Sequence, residues 1–380
     1  MNIIDFYFKK FMDGIFFIDF KGMNVKILED IGVAEDINLP IITDKLLNEF
    51  SSSQETNEIS TEQIFEGIVY TLGADENFQH NEDYLKILYA INSKPEDLIF
   101  KKAIEAYNNG ELVLSGLFIR AYNILKRSAE GLFYYGLILE SIAEKLIDLE
   151  QEDNTEQFLN EAVRLYEMAT EADSDYFWAF YKLGFHYKVK RQFTKAKLTW
   201  EKALLLDSEH IKKDEIMSEI AAVETESIME QALNYLDTMN YDKALDYLVK
   251  LFPEEENNWY VNYIAGIAYS GYGDLEKSIE FMERALTINP DEADIYNELG
   301  ITYFNEGKIT ESIEVFSKGI DNCESDFRLY FNRGLAELNL GNVFPGYEDI
   351  KKANSLSPEN KEISMQLEAL ENYINKAKGD

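Results

Sequence analysis

Over most of the chain, apolar residues recur every three or four positions, the spacing that lines them along one face of an α-helix. In the C-terminal half a second, longer period is superimposed. Gly266, Gly300 and Gly334 fall 34 residues apart, as do Gly273, Gly307 and Gly341, and Ala285, Gly319 and Ala353 keep the same step. Three series in register predict one supersecondary unit used repeatedly. In the unit that starts at Ala293, the residues Tyr296, Leu299, Gly300 and Tyr303 share a face of a first helix. Gly307 breaks the chain at a turn, and Ser312, Phe316 and Gly319 recur along a second helix. Small residues at the eighth, twentieth and twenty-seventh positions let the two helices approach closely, while large ones at the fourth, eleventh and twenty-fourth fill the remaining space. Such a hairpin buries its apolar faces only by stacking on neighbours.

Other copies keep the scheme. From Trp259 it runs Gly266, Tyr269, Gly273, Ser278, Met282, Ala285 and Pro290. From Phe327 it runs Tyr330, Gly334, Gly341, Ile350, Ala353 and Pro358, with Arg333, Glu337 and Gly346 at positions that are apolar or small elsewhere. The segment from Phe177 matches through Phe180, Leu183, Gly184, Tyr187, Ala196, Trp200 and Ala203, and the one from Thr225 through Ala232, Tyr235, Ala244 and Leu248. Fourteen surplus residues, Ile211 to Glu224, separate these two. Fourteen residues make close to four helical turns, which predicts an extended first helix that keeps its phase. A second surplus lies between Gly136 and Ala162, read as helix plus an acidic loop from Glu150 to Thr155, so that extended segments are expected near 140–155 and 211–224. The weakest copy starts near Glu96 and includes Ala103, Gly110, Ser115 and Ile119.

These motifs resemble the tetratricopeptide repeat family, with about six repeats over residues 96–358, roughly two-thirds of the chain. The resemblance implies an all-α superhelix of stacked hairpins, an α-solenoid, whose first helices line a concave groove for a partner polypeptide. In the family the second, fifth, ninth and twelfth positions of a unit typically face that groove. Carried over, they give Trp178, Tyr181 and Phe185, then Met229 and Leu233, then Tyr260, Tyr263 and Ile267. The series continues with Asn297, Ile301 and Phe304 and ends with Arg328, Phe331 and Leu335. Co-chaperone members of the family grip a C-terminal carboxylate with Lys and Asn at the fifth and ninth positions. The residues here are Tyr181/Phe185, Met229/Leu233, Tyr263/Ile267, Asn297/Ile301 and Phe331/Leu335, and the clamp is missing.

Both ends depart from the rhythm. Residues 359–380 place Ile363, Leu367, Leu370 and Ile374 on one helical face, as suits a capping helix. Residues 1–95 are less regular, mixed or helical. Ile15–Phe20 and Val25–Leu28 read as a small strand hairpin joined by Lys21-Gly22-Met23-Asn24, and Phe50 to Ile59 reads as a loop. Ser60 with Gln63 makes a capping box for a helix that ends at Gly73, and Asn81 is placed to cap a helix to Ile91; this pair at 60–94 could be a degenerate repeat.

Composition narrows function. With 71 acidic against 36 basic residues the net charge is −35, which repels nucleic acid and anionic lipid and serves either solubility or the attraction of a basic partner, while the aromatic groove positions suit an aromatic or apolar one. The single cysteine, Cys323, excludes an internal disulfide framework and fits a reducing compartment, the cytoplasm. The apolar patch from Gly14 to Ile18 is too short to span a membrane. His80, His186 and His210 lack metal-site spacing, Cys323 has no identifiable base, and Gly271 to Gly273 falls at a repeat turn instead of a phosphate loop. The expectation is therefore a protein-interaction scaffold without cofactor or metal, not an enzyme. A peptide-responsive sensor whose repeats change curvature is the alternative. Seven Arg against 29 Lys, with frequent Ile, Asn and Tyr, suggests a bacterial source.

Overall fold

The computed structural model describes residues 3–19, 37–43, 60–148 and 152–379. The chain divides into two compact units, Met1–Ile220 and Ala221–Asp380.

The first unit opens with helix α1 (Ile3–Lys9), a 3-10 turn (Lys10–Gly14) and strand β1 (Ile15–Asp19). Strand β1 pairs antiparallel with β2 (Asn38–Ile42), with Ile15 opposite Ile42 and Asp19 opposite Asn38. The expected partner, Val25–Leu28, its turn and the Phe50 to Ile59 loop lie outside the described residues; the observed pairing bridges a longer stretch of chain than a tight hairpin does. Helix α2 (Thr61–Ala74) starts at the capping box of Ser60 and Gln63, with both reciprocal hydrogen bonds present. It is wedged tightly. A β-carbon on Gly67 would overlap the carbonyl of Pro40 in β2, and one on Gly73 would overlap the backbone of Leu117. Helix α3 (Asn81–Ile91) follows, but Asn81 is its first helical residue, not its cap, and its side-chain amide donates to the Glu76 carbonyl at 2.5 Å.

Hairpins then succeed one another in sequence order. The first unit holds α4 (Pro95–Asn108) with α5 (Leu112–Leu125), α6 (Ala129–Asp148) with α7 (Glu152–Ala172), and α8 (Phe177–Val189) with α9 (Phe193–Leu206). The second unit holds α11 (Glu224–Asp237) with α12 (Tyr241–Glu255), α13 (Trp259–Tyr272) with α14 (Leu275–Ile288), α15 (Ala293–Asn305) with α16 (Ile309–Asn322), and α17 (Phe327–Asn339) with α18 (Val343–Leu356). The described residues thus hold seven hairpins where the rhythm counts about six. The pair α6–α7 blurs that count because its helices, 20 and 21 residues long, overrun the repeat. Helix begins again at Glu152, so residues 152–155 of the expected acidic loop are helical. The surplus before α11 is a helix of its own, α10 (Lys213–Ala222), and not an extension: Val223, at φ −113° and ψ 4°, steps out of helical geometry before α11 begins. The final helix, α19 (Lys361–Gly379), packs Ile363, Leu367 and Leu370 onto the core that Met282, Leu299, Phe316 and Ile350 help to form.

The repeat rhythm has a conformational cause. At the turn between the two helices the backbone enters the left-handed region, at φ 76° for Gly110, 93° for Gly273, 84° for Gly307 and 83° for Gly341. Only glycine does so without steric cost. Two hairpins accept that cost, with Arg191 at φ 57° and Met239 at φ 56° in the same turn. A second signature, present in three hairpins, is a hydroxyl that ties the second helix to the first. Ser115 donates to the Ala103 carbonyl, Ser278 to Gly266 and Ser312 to Gly300, each at 2.8 Å and each twelve residues back. In the last hairpin this position is Gly346, whose backbone lies against Gly334, and the unusual Arg333 is accounted for by a bidentate pair with Asp349, both bonds 2.7 Å, and a bond to Ser317 at 3.0 Å.

Two polar knots hold the first unit. Arg120, only 2% exposed, donates to the Gly73 carbonyl at 2.6 Å and the Tyr135 hydroxyl at 2.7 Å, and its guanidinium meets Asp5 at 3.0 Å and Glu76 at 3.3 Å. It therefore joins α1, α2, α5 and α6. Glu140 accepts from Tyr166 at 2.9 Å, Lys182 at 2.7 Å and His186 at 3.3 Å, which joins α6, α7 and α8. Burial works to raise the Glu140 carboxyl pKa, but the bonds from His186 and Lys182 outweigh burial and bring it down to about 2.

Candidate functional site

In the second unit the first helices α13, α15 and α17 are direct neighbours, each touching the next. Residues one repeat apart therefore sit side by side. Tyr260, Asp294 and Arg328 occupy the same repeat position, and Arg328 bridges back to Asp294 at 2.7 Å. Arg328 is also held by Asp326, which caps α17 through the Arg328 backbone N–H at 2.9 Å. One turn further along, Asn332 donates to Asn297 at 2.7 Å, and Asn297 donates to Glu298 at 3.2 Å.

Aromatic rings adjoin these charges. Trp259, Tyr260 and Tyr263 cluster, with centroids 5.5 Å apart for Trp259–Tyr260 and 6.4 Å for Tyr260–Tyr263. Burial raises the Tyr263 hydroxyl pKa, and Glu298 and Asp294 raise it further. Burial also raises the Glu298 carboxyl, with Asp294 adding to the effect while Asn297 and Arg328 oppose it. The face thus combines two aromatic rings with a half-buried carboxylate short of positive charge. A cationic side chain laid there would gain from both.

The sequence-derived positions fall into distinct classes. Tyr260 is 38% exposed and Trp178 is 36% exposed. Tyr263, Ile267, Ile301, Phe331 and Leu335 are half-buried and pack onto the core of the second unit, and Met229 and Leu233 do the same beside Ala232 and Leu248. Phe304 and Arg328 are half-buried, and Asn297 is 7% exposed. In the first unit Tyr181 and Phe185 pack inward: Phe185 lies edge-on to Trp200 at 5.1 Å, and the Tyr181 hydroxyl donates to Glu215 of α10 at 2.7 Å. Lys188 of α8 meets Glu219 of α10 at 2.6 Å, so α10 covers this part of the first-helix face.

Asp294 and Glu298 escaped the sequence reading. The signal for Asp294 was present, since it lies 34 residues after Tyr260 and 34 before Arg328. Glu298 shares its repeat position with Asn332, and nothing in the sequence alone marks that position as facing Tyr263. Cys323 donates its thiol to the Asp291 carbonyl at 3.3 Å, and burial together with Asp291, Asp326 and Glu292 raises its pKa, which disfavours the nucleophilic thiolate. Among the described residues no group of three or more His, Cys, Asp or Glu side chains could hold a metal ion, and no helix is long and apolar enough to cross a membrane.

The tetratricopeptide repeat profile matches residues 260–292 and 293–326, the hairpins α13–α14 and α15–α16. No curated protein matches the sequence. Similar solved structures include the MamA protein, at 22% identity over 48% of this chain and 92% of that chain with a TM-score of 0.37. A tetratricopeptide repeat protein from Parabacteroides merdae is 18% identical over 72% of this chain and 98% of that one, with a TM-score of 0.33. YrrB, described as a TPR protein with an unusual peptide-binding site, is 16% identical over 70% of this chain and 97% of that one, with a TM-score of 0.28. The matched hairpins belong to a longer series of the same kind: this is an all-α chain of helical hairpins whose residues 260–326 match the tetratricopeptide repeat.

Proposed function

We propose that the protein is a non-catalytic interaction scaffold of the bacterial cytoplasm that holds a basic polypeptide segment on the first-helix face of its second unit. One observation carries this reading: three adjoining first helices present Tyr260 and Tyr263 beside Glu298 and the Asp294–Arg328 pair, in a chain of net charge −35. Aromatic rings supply contact area at low entropic cost, and carboxylates beside them select for a cation. The raised thiol pKa of Cys323 argues against this residue as a nucleophile.

The test uses a photoreactive phenylalanine analogue in place of Tyr260, with the same analogue at Val249, an exposed residue of α12, as control. Irradiation in native lysate should yield a discrete polypeptide adduct from position 260 only, and excess polylysine peptide should compete it away. Equal adducts from both positions, or an adduct indifferent to the peptide, would overturn the reading. Tyr260 is the better probe than Tyr263 or Phe331, because those two pack onto the core and their loss would disturb folding and binding together.

A further inference from the structure

A cleft of about 260 Å³ opens in the first unit where α1, α5, α6 and α7 meet beside the end of α2. It gathers Arg120, Arg127 and Arg164, three of the seven arginines in the whole chain. Their charges are unevenly matched. Arg164 is paired with Glu161 through bonds of 2.7 and 2.5 Å. Arg120 is shared by two carboxylates, Asp5 and Glu76, which leaves a surplus negative charge at that end. Arg127 has no carboxylate partner among the described residues; its guanidinium contacts only the Met168 sulfur, at 3.9 Å. Arg164 reaches the same sulfur at 2.9 Å. Two guanidinium groups thus lie at most about 7 Å apart with no anion shared between them, and because Glu161 offsets Arg164 alone, a carboxylate that bridges the two would supply the counter-charge Arg127 lacks.

The cleft therefore has a positive end at Arg127, beside the Arg164–Glu161 pair, and a negative end at Asp5 and Glu76. Asn123 also lines it, and its buried Oδ1 accepts no hydrogen bond although its amide is fixed by the Gly131 carbonyl at 3.1 Å. That oxygen is closed off against Gly131, so Asn123 shapes the wall without contacting a ligand. Apolar Ile124, Leu132 and Leu165 complete the wall.

We propose that this cleft binds a free α-amino acid with an apolar side chain. The carboxylate bridges Arg127 and Arg164, the ammonium meets the surplus charge of Asp5 and Glu76, and the side chain lies on the apolar wall. The site belongs to the first unit alone and does not depend on the partner face of the second.

The experiment is calorimetric titration of the full chain with L-valine, L-leucine and L-phenylalanine, and with leucinamide and N-acetyl-leucine, which lack the carboxylate and the ammonium respectively. At least one amino acid should bind, and both blocked analogues should bind at least tenfold more weakly than L-leucine or not at all. Arg127→Gln, at an exposed position, should weaken binding at least tenfold with an unchanged circular dichroism spectrum, while Arg191→Gln should leave it intact. Three results would overturn the proposal: no heat with any of the three amino acids, binding of N-acetyl-leucine or leucinamide equal to that of L-leucine, or full affinity in Arg127→Gln. Inorganic phosphate that competes as well as L-leucine binds would also overturn it, by reducing the cleft to a generic anion site.

Discussion

A left-handed backbone costs a residue with a β-carbon about 1 kcal/mol or more, and Arg191 and Met239 carry that cost where other hairpins use glycine. Part of it returns as unfolded-state entropy when glycine is introduced. Arg191→Gly and Met239→Gly should each raise stability by about 0.5 kcal/mol in urea titrations, whereas Gly307→Ala should lower it by about 1 kcal/mol. A rise for Gly307→Ala would sink this account of the turn. Ser278→Ala should cost about 1 kcal/mol through the lost bond to Gly266. Glu140 sets a pH dependence whose sign follows from its depressed pKa. The carboxylate contributes stability above its unfolded pKa of about 4.5, and that contribution is lost as pH falls towards about 2. Its full size is on the order of 2 to 3 kcal/mol. The stability gap between wild type and Glu140→Gln should therefore narrow between about pH 5 and pH 3, and a gap that stays constant would refute it. The turn glycines and the serines were legible in the sequence as residue types in register. The knot at Glu140 was not, because its partners Tyr166, Lys182 and His186 have no fixed spacing from it.

Among elements, the helices of the second unit were legible because each carries both the 3.6-residue and the 34-residue period, and Asn258, Asp274 and Asp326 cap theirs. Helix α10 misled for a physical reason. Its apolar residues stay in phase across Val223, and periodicity cannot register a single residue that leaves helical geometry while its own side chain stays buried. Strand β2 was illegible because its pairing with β1 is long-range and Pro40 interrupts its pattern. Arg333 stands at a position that is apolar or small in other copies, and with Asp349 it ties α17 to α18. Asp349→Leu alone should destabilise by about 3 kcal/mol, since it strands a half-buried guanidinium, while Asp349→Leu combined with Arg333→Met should cost far less. A double-mutant cycle in urea measures the difference, and strictly additive costs would count against the tie.

For the whole molecule, a net charge of −35 makes any basic partner salt-sensitive. Affinity of the second-unit face for a lysine-rich peptide should fall roughly tenfold between about 0.05 and 0.5 M sodium chloride, while amino-acid binding in the first-unit cleft should change far less, since a zwitterion brings no net charge. Equal salt slopes would contradict that separation. The sequence located the first-helix positions but could not tell which stay open: Tyr181 and Phe185 are closed over by α10 and Trp200, and only tertiary packing decides that. The recurring turn and hydroxyl tie carry one more consequence. They give residues 259–326 a reading frame of 34, in which every packed position is defined by its distance from the last. A whole unit copied in tandem would find each glycine opposite its large neighbour and each serine opposite its carbonyl. A single inserted residue within a helix would throw all later contacts of that unit out of step. Such a chain can lengthen by duplication more readily than it can tolerate a one-residue slip.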